Sequence, residues 1–204
     1  MSGLVSRLLV PGLSGAEIWD RGQAVAIHPD EIGHVAGSAE KRRRDFALGR
    51  SCARAALAQF GHADAVIAKH QDGGPVWPPG IVGSITHTSG YAAALAGECR
   101  HFAGLGIDAE RTGGVTPDLW PRLFTPIERE TLRTQADPLV SATLLFSAKE
   151  ASYKALTLKA ALVFREVEIS LRLDGFVAAA HGASLGGRYA LDNGVVLAAA
   201  WRTA

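Results

Sequence analysis

Apolar residues recur three and four positions apart between Glu40 and Phe60, and arginines and alanines fill the positions between them. This spacing places the apolar side chains on one face of an α-helix. Gly61 follows directly and is a typical residue at a helix end. The pattern predicts one helix over residues 40–60.

Two further helices are predicted in the middle of the chain. Thr125 precedes Pro126, and Glu128 stands three residues after the threonine, which is the arrangement of a capped helix start with proline in the first turn. We expect that helix to end near residue 136. Residues 139–158 contain neither glycine nor proline and carry lysines toward their end, which predicts a long helix.

Short apolar runs with strand character lie on both sides of these helices, at residues 66–69, 81–86, 91–96, 105–110, 167–173, 176–180, 188–191 and 195–201. Turn signals separate several of them, at residues 72–75, at Asp174-Gly175 and at Asn193-Gly194. Helices in the middle and antiparallel strands at the end predict an α+β fold rather than alternating βαβ units. A helix followed by strands occurs in both halves, which indicates two related subdomains.

The charges nearly cancel, because 21 Lys and Arg residues face 20 Asp and Glu residues. The chain as a whole therefore has no strong preference for nucleic acid, membranes or acidic partners. Cys52 and Cys99 lack the spacing of a zinc site or a disulfide framework, so we expect buried thiols in a reducing compartment. No apolar run reaches the roughly 20 residues of a membrane helix, and we expect a cytoplasmic protein.

A pair of acids, Asp108 and Glu110, follows an apolar run and is predicted to lie on a strand. Because side chains alternate along a strand, both carboxylates then point to the same side. Mg²⁺ is commonly held by one or two carboxylates together with phosphate oxygens. The pair is a candidate half of a magnesium site, and two solvated acids at a strand end are the alternative.

An acid and a base share one face of the long predicted helix, because Glu150 and Lys154 are four residues apart. Two structural alternatives compete with a catalytic role. Ser147 and Glu150 have the spacing of a capping box, and Glu150 and Lys154 have that of an exposed ion pair. The residues before Ser147 already have a helical pattern, which argues against a helix start there.

Two further clusters are candidates for phosphate binding. The apolar run at 81–86 gives way to hydroxyl groups around His87, although a single histidine is more often structural or exposed. Basic residues gather at 41–44, and Arg42 and Arg50 are eight residues apart, close enough to one helix face to converge on one anion. A solvated basic face and a nucleic-acid contact are the alternatives.

Taken in their order, these motifs resemble the 4'-phosphopantetheinyl transferase superfamily, of the bacterial enterobactin-synthase and surfactin type and close to its mycobacterial branch. The resemblance covers most of residues 40–155. Its motifs are Arg42 to Arg50, Lys69, Val76-Trp77-Pro78, Gly83-Ser84-Ile85-Thr86-His87, GIDAE at 106–110 and FSAKEASYK at 146–154.

The resemblance implies an enzyme that moves 4'-phosphopantetheine from coenzyme A to a serine of an apo carrier protein and releases 3',5'-ADP. It implies that Mg²⁺ is bound by Asp108, Glu110 and Glu150, and that Glu150 is also the general base. Lys154 is expected at the pyrophosphate, so that Asp108, Glu150 and Lys154 form the catalytic set. The residues expected to bind coenzyme A are Arg42, Arg50 and Lys69 at the 3'-phosphoadenosine end and Thr86 and His87 at the phosphates.

The fold implied by the resemblance has two pseudo-symmetric α+β halves with the active site between them. We expect a subdomain at 1–105 with the coenzyme A residues and one at 106–204 with the metal ligands and the catalytic helix. Residues 112–136 are the expected docking segment for the carrier, with Arg111, Arg122 and Arg129 facing acidic partners.

The carriers implied are acyl, peptidyl or aryl carrier proteins of siderophore, polyketide or nonribosomal peptide biosynthesis. We expect a monomer that binds no nucleic acid and has no stable membrane anchor. Two alternatives stay open at this point: a non-catalytic module that binds coenzyme A or a carrier protein, and a nucleic-acid-binding protein.

Overall fold

The computed structural model describes residues 3–71, 73–156, 166–173 and 175–204. Two antiparallel sheets form its framework, and a long helix packs against each sheet. The predicted α+β class is therefore confirmed. Among the helices in these ranges, none has the length and apolar character needed to cross a membrane.

The first sheet has three strands in the order β1-β3-β2, with β1 at Leu13–Trp19, β2 at Ile81–Thr88 and β3 at Tyr91–Glu98. Helix α1, at Glu40–Leu57, packs against β3. Its buried face, with Leu48, Cys52 and Ala56, meets a run of alanines on β3. Alanine side chains are short, so the helix lies close to the sheet.

The second sheet has five strands in the order β4-β8-β7-β6-β5. These strands are β4 at Phe102–Arg111, β5 at Glu168–Arg172, β6 at Gly175–Ala180, β7 at Ala183–Asp192 and β8 at Val195–Thr203. Between β4 and β5 the chain forms α2 at Trp120–Leu123, α3 at Pro126–Arg133 and α4 at Pro138–Leu156. Helix α4 packs across β4 and β8.

Two glycines on β4 let α4 approach the strand closely. A Cβ atom at Gly106 would lie 1.8 Å from the carbonyl oxygen of Ala151, and one at Gly104 would lie 2.0 Å from that of Ala155. Both distances are far below van der Waals contact, so any side chain at these positions must displace the helix. The glycines therefore set the distance between α4 and β4.

Buried hydroxyl groups join the two sheets where β2 lies beside β4. The backbone N–H of Ile107 donates to Ser84 Oγ at 3.1 Å, and that of Ala109 donates to Thr86 Oγ1 at 3.0 Å. Both side chains are buried. This junction holds the end of β2 next to the segment of β4 that carries Asp108 and Glu110.

Most of the predicted elements are confirmed. The helix over 40–60 is α1 continued by a short 3₁₀ turn, and Gly61 ends it with a φ of 80°. Thr125 and Glu128 form a complete capping box on α3, which ends at Arg133 rather than near 136. Asn193 and Gly194, with φ angles of 49° and 71°, make the tight turn between β7 and β8.

Several predictions need correction. Residues 66–69 do not form a strand, because only Lys69 makes an isolated bridge, to Pro75. Strand β1 was not predicted. Both cysteines are free thiols, but only Cys52 is buried as expected, because Cys99 is exposed. Four residues of the predicted elements lie outside the described residues: 157 and 158 of the long helix, 72 of the turn at 72–75, and Asp174. The boundary after residue 105 falls within β4 and stays a prediction.

Candidate active site

The carboxylates of β4 point toward α4. Asp108 and Glu110 continue the alternation of Gly104 and Gly106, whose missing side chains make room for the helix. Asp108 is only 5% exposed, and Glu110 is half-buried. The predicted pairing of these two acids on one strand face is confirmed, and they are not freely solvated.

Helix α4 reaches Asp108 with two side chains. Lys154 Nζ lies 2.7 Å from Asp108 Oδ1 and donates a second hydrogen bond to the carbonyl of Ile107 at 3.1 Å. Ser147 Oγ donates to the backbone carbonyl of Asp108 at 3.0 Å, from the interior of the helix. Ser147 is therefore not a helix cap, and Lys154 pairs across to β4 rather than standing as a surface partner of Glu150.

Burial and mutual repulsion make the remaining acids weaker than usual. Burial, followed by the nearby charge of Asp108, raises the pKa of Glu110 to about 7, although Lys154 acts in the opposite direction. Burial and the Asp108 carboxylate likewise raise the pKa of Glu150. Glu110 and Glu150, whose charged forms are disfavoured beside Asp108, would both be stabilised by a nearby cation.

The donor chemistry at this centre suits Mg²⁺, which prefers hard oxygen ligands from one or two carboxylates. Asp108 Oδ2 is buried and has no hydrogen-bond partner in the described part of the chain, so it is free to act as a ligand. Within those residues, however, no three His, Cys, Asp or Glu side chains are arranged to hold a metal ion as they stand. The assignment of Asp108, Glu110 and Glu150 as ligands stays a prediction.

A cavity of about 530 Å³ lies between α1 and β2 and is rich in positive charge. Four of the residues predicted to bind coenzyme A line it. They are Arg42, Arg50, Lys69 and His87, and the other lining residues are His34, Val35, Ala39, Lys41, Asp45, Phe46, Gly49, Gly73, Pro75 and Ile85. Residues distant in sequence thus form one positively charged surface, and its binding of coenzyme A stays a prediction.

Arg50 forms the floor of this cavity and is almost completely buried. Its Nε donates to the carbonyl of Ile67 at 2.8 Å, and its guanidinium stacks on the ring of Phe46 at 4.6 Å. Burial lowers the pKa of Arg50. Arg42 is exposed and lines the same cavity, whereas part of the Arg50 fork is already bonded to the backbone. The predicted convergence of the two arginines on one anion stays a prediction.

A buried acid that the sequence analysis did not identify supports the cavity wall. Glu31 accepts two hydrogen bonds from Arg54 Nη1, at 2.8 and 3.0 Å, and one from the backbone N–H of Ile67 at 2.8 Å. This ion pair ties the segment that leads to Lys69 to α1. His34 Nε2 accepts the N–H of Lys69 at 3.3 Å and continues the wall.

Thr86 does not line the cavity, and its hydroxyl oxygen is used at the junction of the sheets. A hydroxyl that accepts one hydrogen bond can still donate another, so a phosphate contact by Thr86 stays a prediction. His87, the next residue on β2, faces the cavity instead. Burial lowers the pKa of His87. Because Thr86, the preceding residue, accepts the N–H of Ala109 between Asp108 and Glu110, this end of the cavity lies beside the carboxylates of β4.

A second cavity, of about 610 Å³, lies along another face of α1. Its lining is mainly apolar, and it contains none of the residues predicted to act in catalysis or in coenzyme A binding. Its arginine, Arg54, is already paired with Glu31. The charge of the lining residues therefore favours the first, cationic cavity as the place for an anionic ligand.

The segment at 112–136 supplies both core residues and an exposed surface. Trp120 and Phe124 are buried, whereas Ile127 is 79% exposed and Arg122 is exposed. Arg111 was expected to face a carrier, but it is half-buried and donates to the carbonyls of Ser89 and Asn193. Arg111 is therefore less exposed than expected, because its guanidinium joins two turns, and its contact with a carrier stays a prediction.

Family models match both halves of the chain. The model described as the 4'-phosphopantetheinyl transferase N-terminal domain matches residues 30–97, and that of the 4'-phosphopantetheinyl transferase superfamily matches residues 104–200. The 4'-phosphopantetheinyl transferase Npt of Nocardia iowensis is 41% identical over 152 residues, which cover 74% of this chain and 68% of that protein. The chain belongs to the 4'-phosphopantetheinyl transferase superfamily.

Two other members of the superfamily are also similar to this chain. PptT of Mycobacterium tuberculosis is 38% identical over 79% of this chain and 73% of its own length. Enterobactin synthase component D of Salmonella typhi is 34% identical over 57% of this chain and 49% of its own length. The resemblance identified from the sequence motifs is confirmed, and membership of a transferase family does not favour a nucleic-acid-binding protein.

Proposed function

We propose that this chain transfers 4'-phosphopantetheine from coenzyme A to a serine of an apo acyl, peptidyl or aryl carrier protein, and so acts as a holo-[carrier-protein] synthase. One observation carries the proposal: a cationic cavity of about 530 Å³ lies beside buried Asp108, its partner Lys154 and the half-buried carboxylates of Glu110 and Glu150. The first part suits the phosphates of the donor, and the second suits the reacting group.

Coenzyme A is proposed to place its 3'-phosphoadenosine end in the cavity, where Arg42, Arg50 and Lys69 neutralise the phosphate. Arginine forks and lysine ammonium groups are the usual partners of phosphate oxygens. His87, at the end of the cavity near Lys154, then contacts the pyrophosphate, with Thr86 beside it. The thioalkyl arm leaves the cavity toward the carrier.

The reaction is a displacement at phosphorus. The serine oxygen of the carrier forms a bond to the β-phosphorus, the bond from this phosphorus to the bridging oxygen breaks, and 3',5'-ADP leaves with that oxygen. The hydroxyl proton passes to Glu150, whose raised pKa makes it a better proton acceptor than an ordinary glutamate. Lys154 lies beside Asp108 and offsets negative charge on the pyrophosphate.

A magnesium ion at this centre would be held by Asp108, Glu110 and Glu150 together with pyrophosphate oxygens. When bound, it supplies neutralisation of the charge that develops on the oxygens of the transferred group. The buried oxygen Asp108 Oδ2 supports this part of the proposal.

The carrier is proposed to dock on the exposed part of residues 112–136, where Ile127 offers an apolar contact and Arg122 a positive charge. Carriers of siderophore, polyketide or nonribosomal peptide biosynthesis are the proposed partners. We propose in addition that the chain acts as a monomer in the cytoplasm, without binding nucleic acid, and that its halves divide after residue 105.

The proposal is tested by the intact mass of an apo carrier protein incubated with this chain, coenzyme A and Mg²⁺, beside a chelated control. Loading with one phosphopantetheine adds about 340 Da, and chelation abolishes the gain if the metal is needed. No gain with acyl, peptidyl and aryl carriers, despite measurable binding of coenzyme A, would contradict transfer and leave a non-catalytic binding module.

A further inference from the structure

One acid lies in the cationic cavity. Asp45, on α1, is the only acidic residue among those described as lining it. Its Oδ2 accepts a hydrogen bond from Lys41 Nζ at 2.8 Å and lies 4.0 Å from Nδ1 of His87. The Asp45 side chain is 19% exposed, whereas that of Lys41 is 79% exposed.

A carboxylate at this place opposes the binding of a polyanion, because like charges repel at short range. A contribution to the stability of α1 does not explain its position. An exposed Lys-Asp pair four residues apart stabilises a helix by only about 0.2–0.5 kcal/mol, and it needs no place in a cavity. The distinctive feature of Asp45 is its position 4.0 Å from His87 Nδ1, where it attracts that edge of the ring electrostatically at a distance longer than a hydrogen bond.

The surroundings of His87 explain why an acid is useful there. Burial lowers the pKa of His87, and the positive charges of Lys41 and Arg42 on α1 and of Lys154 on α4 lower it further. Asp45 is the group that acts against them. A ring attracted through Nδ1 toward α1 presents its other nitrogen, Nε2, on the opposite side, since the two nitrogens lie at different edges of imidazole.

We infer that Asp45 is a positioning residue, which holds the His87 ring with Nδ1 toward α1 and Nε2 toward the phosphates of coenzyme A. The inference rests on the proposed function of the cavity. Asp45 does not contact the ligand in this arrangement and acts through His87. Its negative charge is therefore favourable for donor binding in spite of its sign.

The sign of one mutational effect tests the inference. In Asp45→Asn the side chain keeps its size and loses its charge. If Asp45 acted only as an unfavourable charge, coenzyme A would bind more tightly to the variant. If Asp45 positions His87, we expect the opposite result. The Kd and the KM for coenzyme A should each rise about 5- to 20-fold, and kcat should change less than twofold.

A matched control is available on the same helix. Glu40→Gln also removes one negative charge from α1, but Glu40 lines a different cavity, with Arg43 and Arg44. We expect its Kd for coenzyme A to equal that of the wild type or to be slightly lower. Circular dichroism and thermal melting of both variants establish that they are folded.

A double-mutant cycle identifies the route of the effect. In a His87→Gln background, Asp45→Asn is expected to change the Kd less than twofold. In a Lys41→Met background it is expected to keep its full effect, because Lys41 is not the residue through which Asp45 acts.

If the wild type binds coenzyme A and loads a carrier, the proposed function stands, and two outcomes would still overturn the inference about Asp45. One is equal or tighter binding of coenzyme A by folded Asp45→Asn, and the other is an undiminished effect in the His87→Gln background. A wild type that neither binds coenzyme A nor loads any carrier would overturn the proposed function and this inference together.

Discussion

Replacing Gly106 with alanine tests how closely α4 must lie against β4 for the reaction to proceed. The added Cβ would stand 1.8 Å from the carbonyl oxygen of Ala151, whereas ordinary contact begins at 3.4 Å. Helix and strand must therefore separate by about 1.6 Å. The same shift would stretch the 2.7 Å contact between Lys154 and Asp108 beyond hydrogen-bond length.

The expected effect is specific to the chemical step. A misplacement of about 1 Å can reduce a rate about 100-fold, so we expect kcat for carrier loading to fall at least that far. Overpacking of this kind costs about 1–3 kcal/mol of stability. The KM for coenzyme A should change less than kcat, because no residue of α4 lines the cavity proposed for the 3'-phosphoadenosine end and only Lys154 of α4 is proposed to contact the pyrophosphate.

Initial rates of carrier loading, measured by mass spectrometry at varied coenzyme A concentrations, give both constants. Gly37→Ala is the matched control, since a Cβ at Gly37 meets nothing within 4 Å and its φ is not in the left-handed region. We expect wild-type kinetics from the control. A folded Gly106→Ala protein with a wild-type kcat would refute the claim that this spacing sets the geometry of the site.

Three further predictions follow from the structure. Glu150→Gln should abolish carrier loading and leave the Kd for coenzyme A within about twofold, by calorimetry, and full activity would disprove its role as base. Iodoacetamide at pH 8 should label exposed Cys99 and spare Cys52, because burial raises the pKa of the Cys52 thiol to about 12. Peptide mapping measures the labelling, and equal labelling of both cysteines would contradict this prediction. Glu31→Gln should lower the free energy of unfolding in urea by about 3 kcal/mol, because it leaves the guanidinium of Arg54 without its buried partner, and an unchanged midpoint would show that the pair is dispensable.

Local patterns predicted the parts of the fold that depend on local physics. The capping box at Thr125 and the turn at Asn193-Gly194 need only nearby residues, and both are present. Strand β1 was missed because its sequence, LSGAEIW, has few residues with strand preference. Its Gly15 leaves space for Val5 and Leu95, a tertiary requirement that no local pattern shows.

The sequence motifs predicted which residues belong to the candidate site, but they predicted only part of how these residues are arranged in space. Period-two alternation placed Asp108 and Glu110 on one face of a strand, but it could not show that Lys154 would pair with Asp108. The hydroxyl of Thr86 was expected at phosphate, and its oxygen accepts a hydrogen bond at the sheet junction. Which neighbour a strand face meets depends on the packing of distant segments.

The acids that support the cavity were beyond sequence reasoning for a related reason. Asp45 follows Lys41 by four residues, a spacing typical of an ordinary surface pair, and only the position of His87 on β2 gives it another role. Glu31 carries no local signal for its contact with Arg54, which is 23 residues away. Both acids become recognisable only when the chain is folded.

The central claim is that the cationic cavity and the carboxylate centre act together on one molecule of coenzyme A. A crystal structure of the complex with coenzyme A and Mg²⁺ tests it most directly. The account predicts the 3'-phosphate beside Arg42 and Lys69 and the pyrophosphate between His87, Lys154 and Asp108. Coenzyme A bound elsewhere, such as in the apolar cavity on the other face of α1, would contradict it.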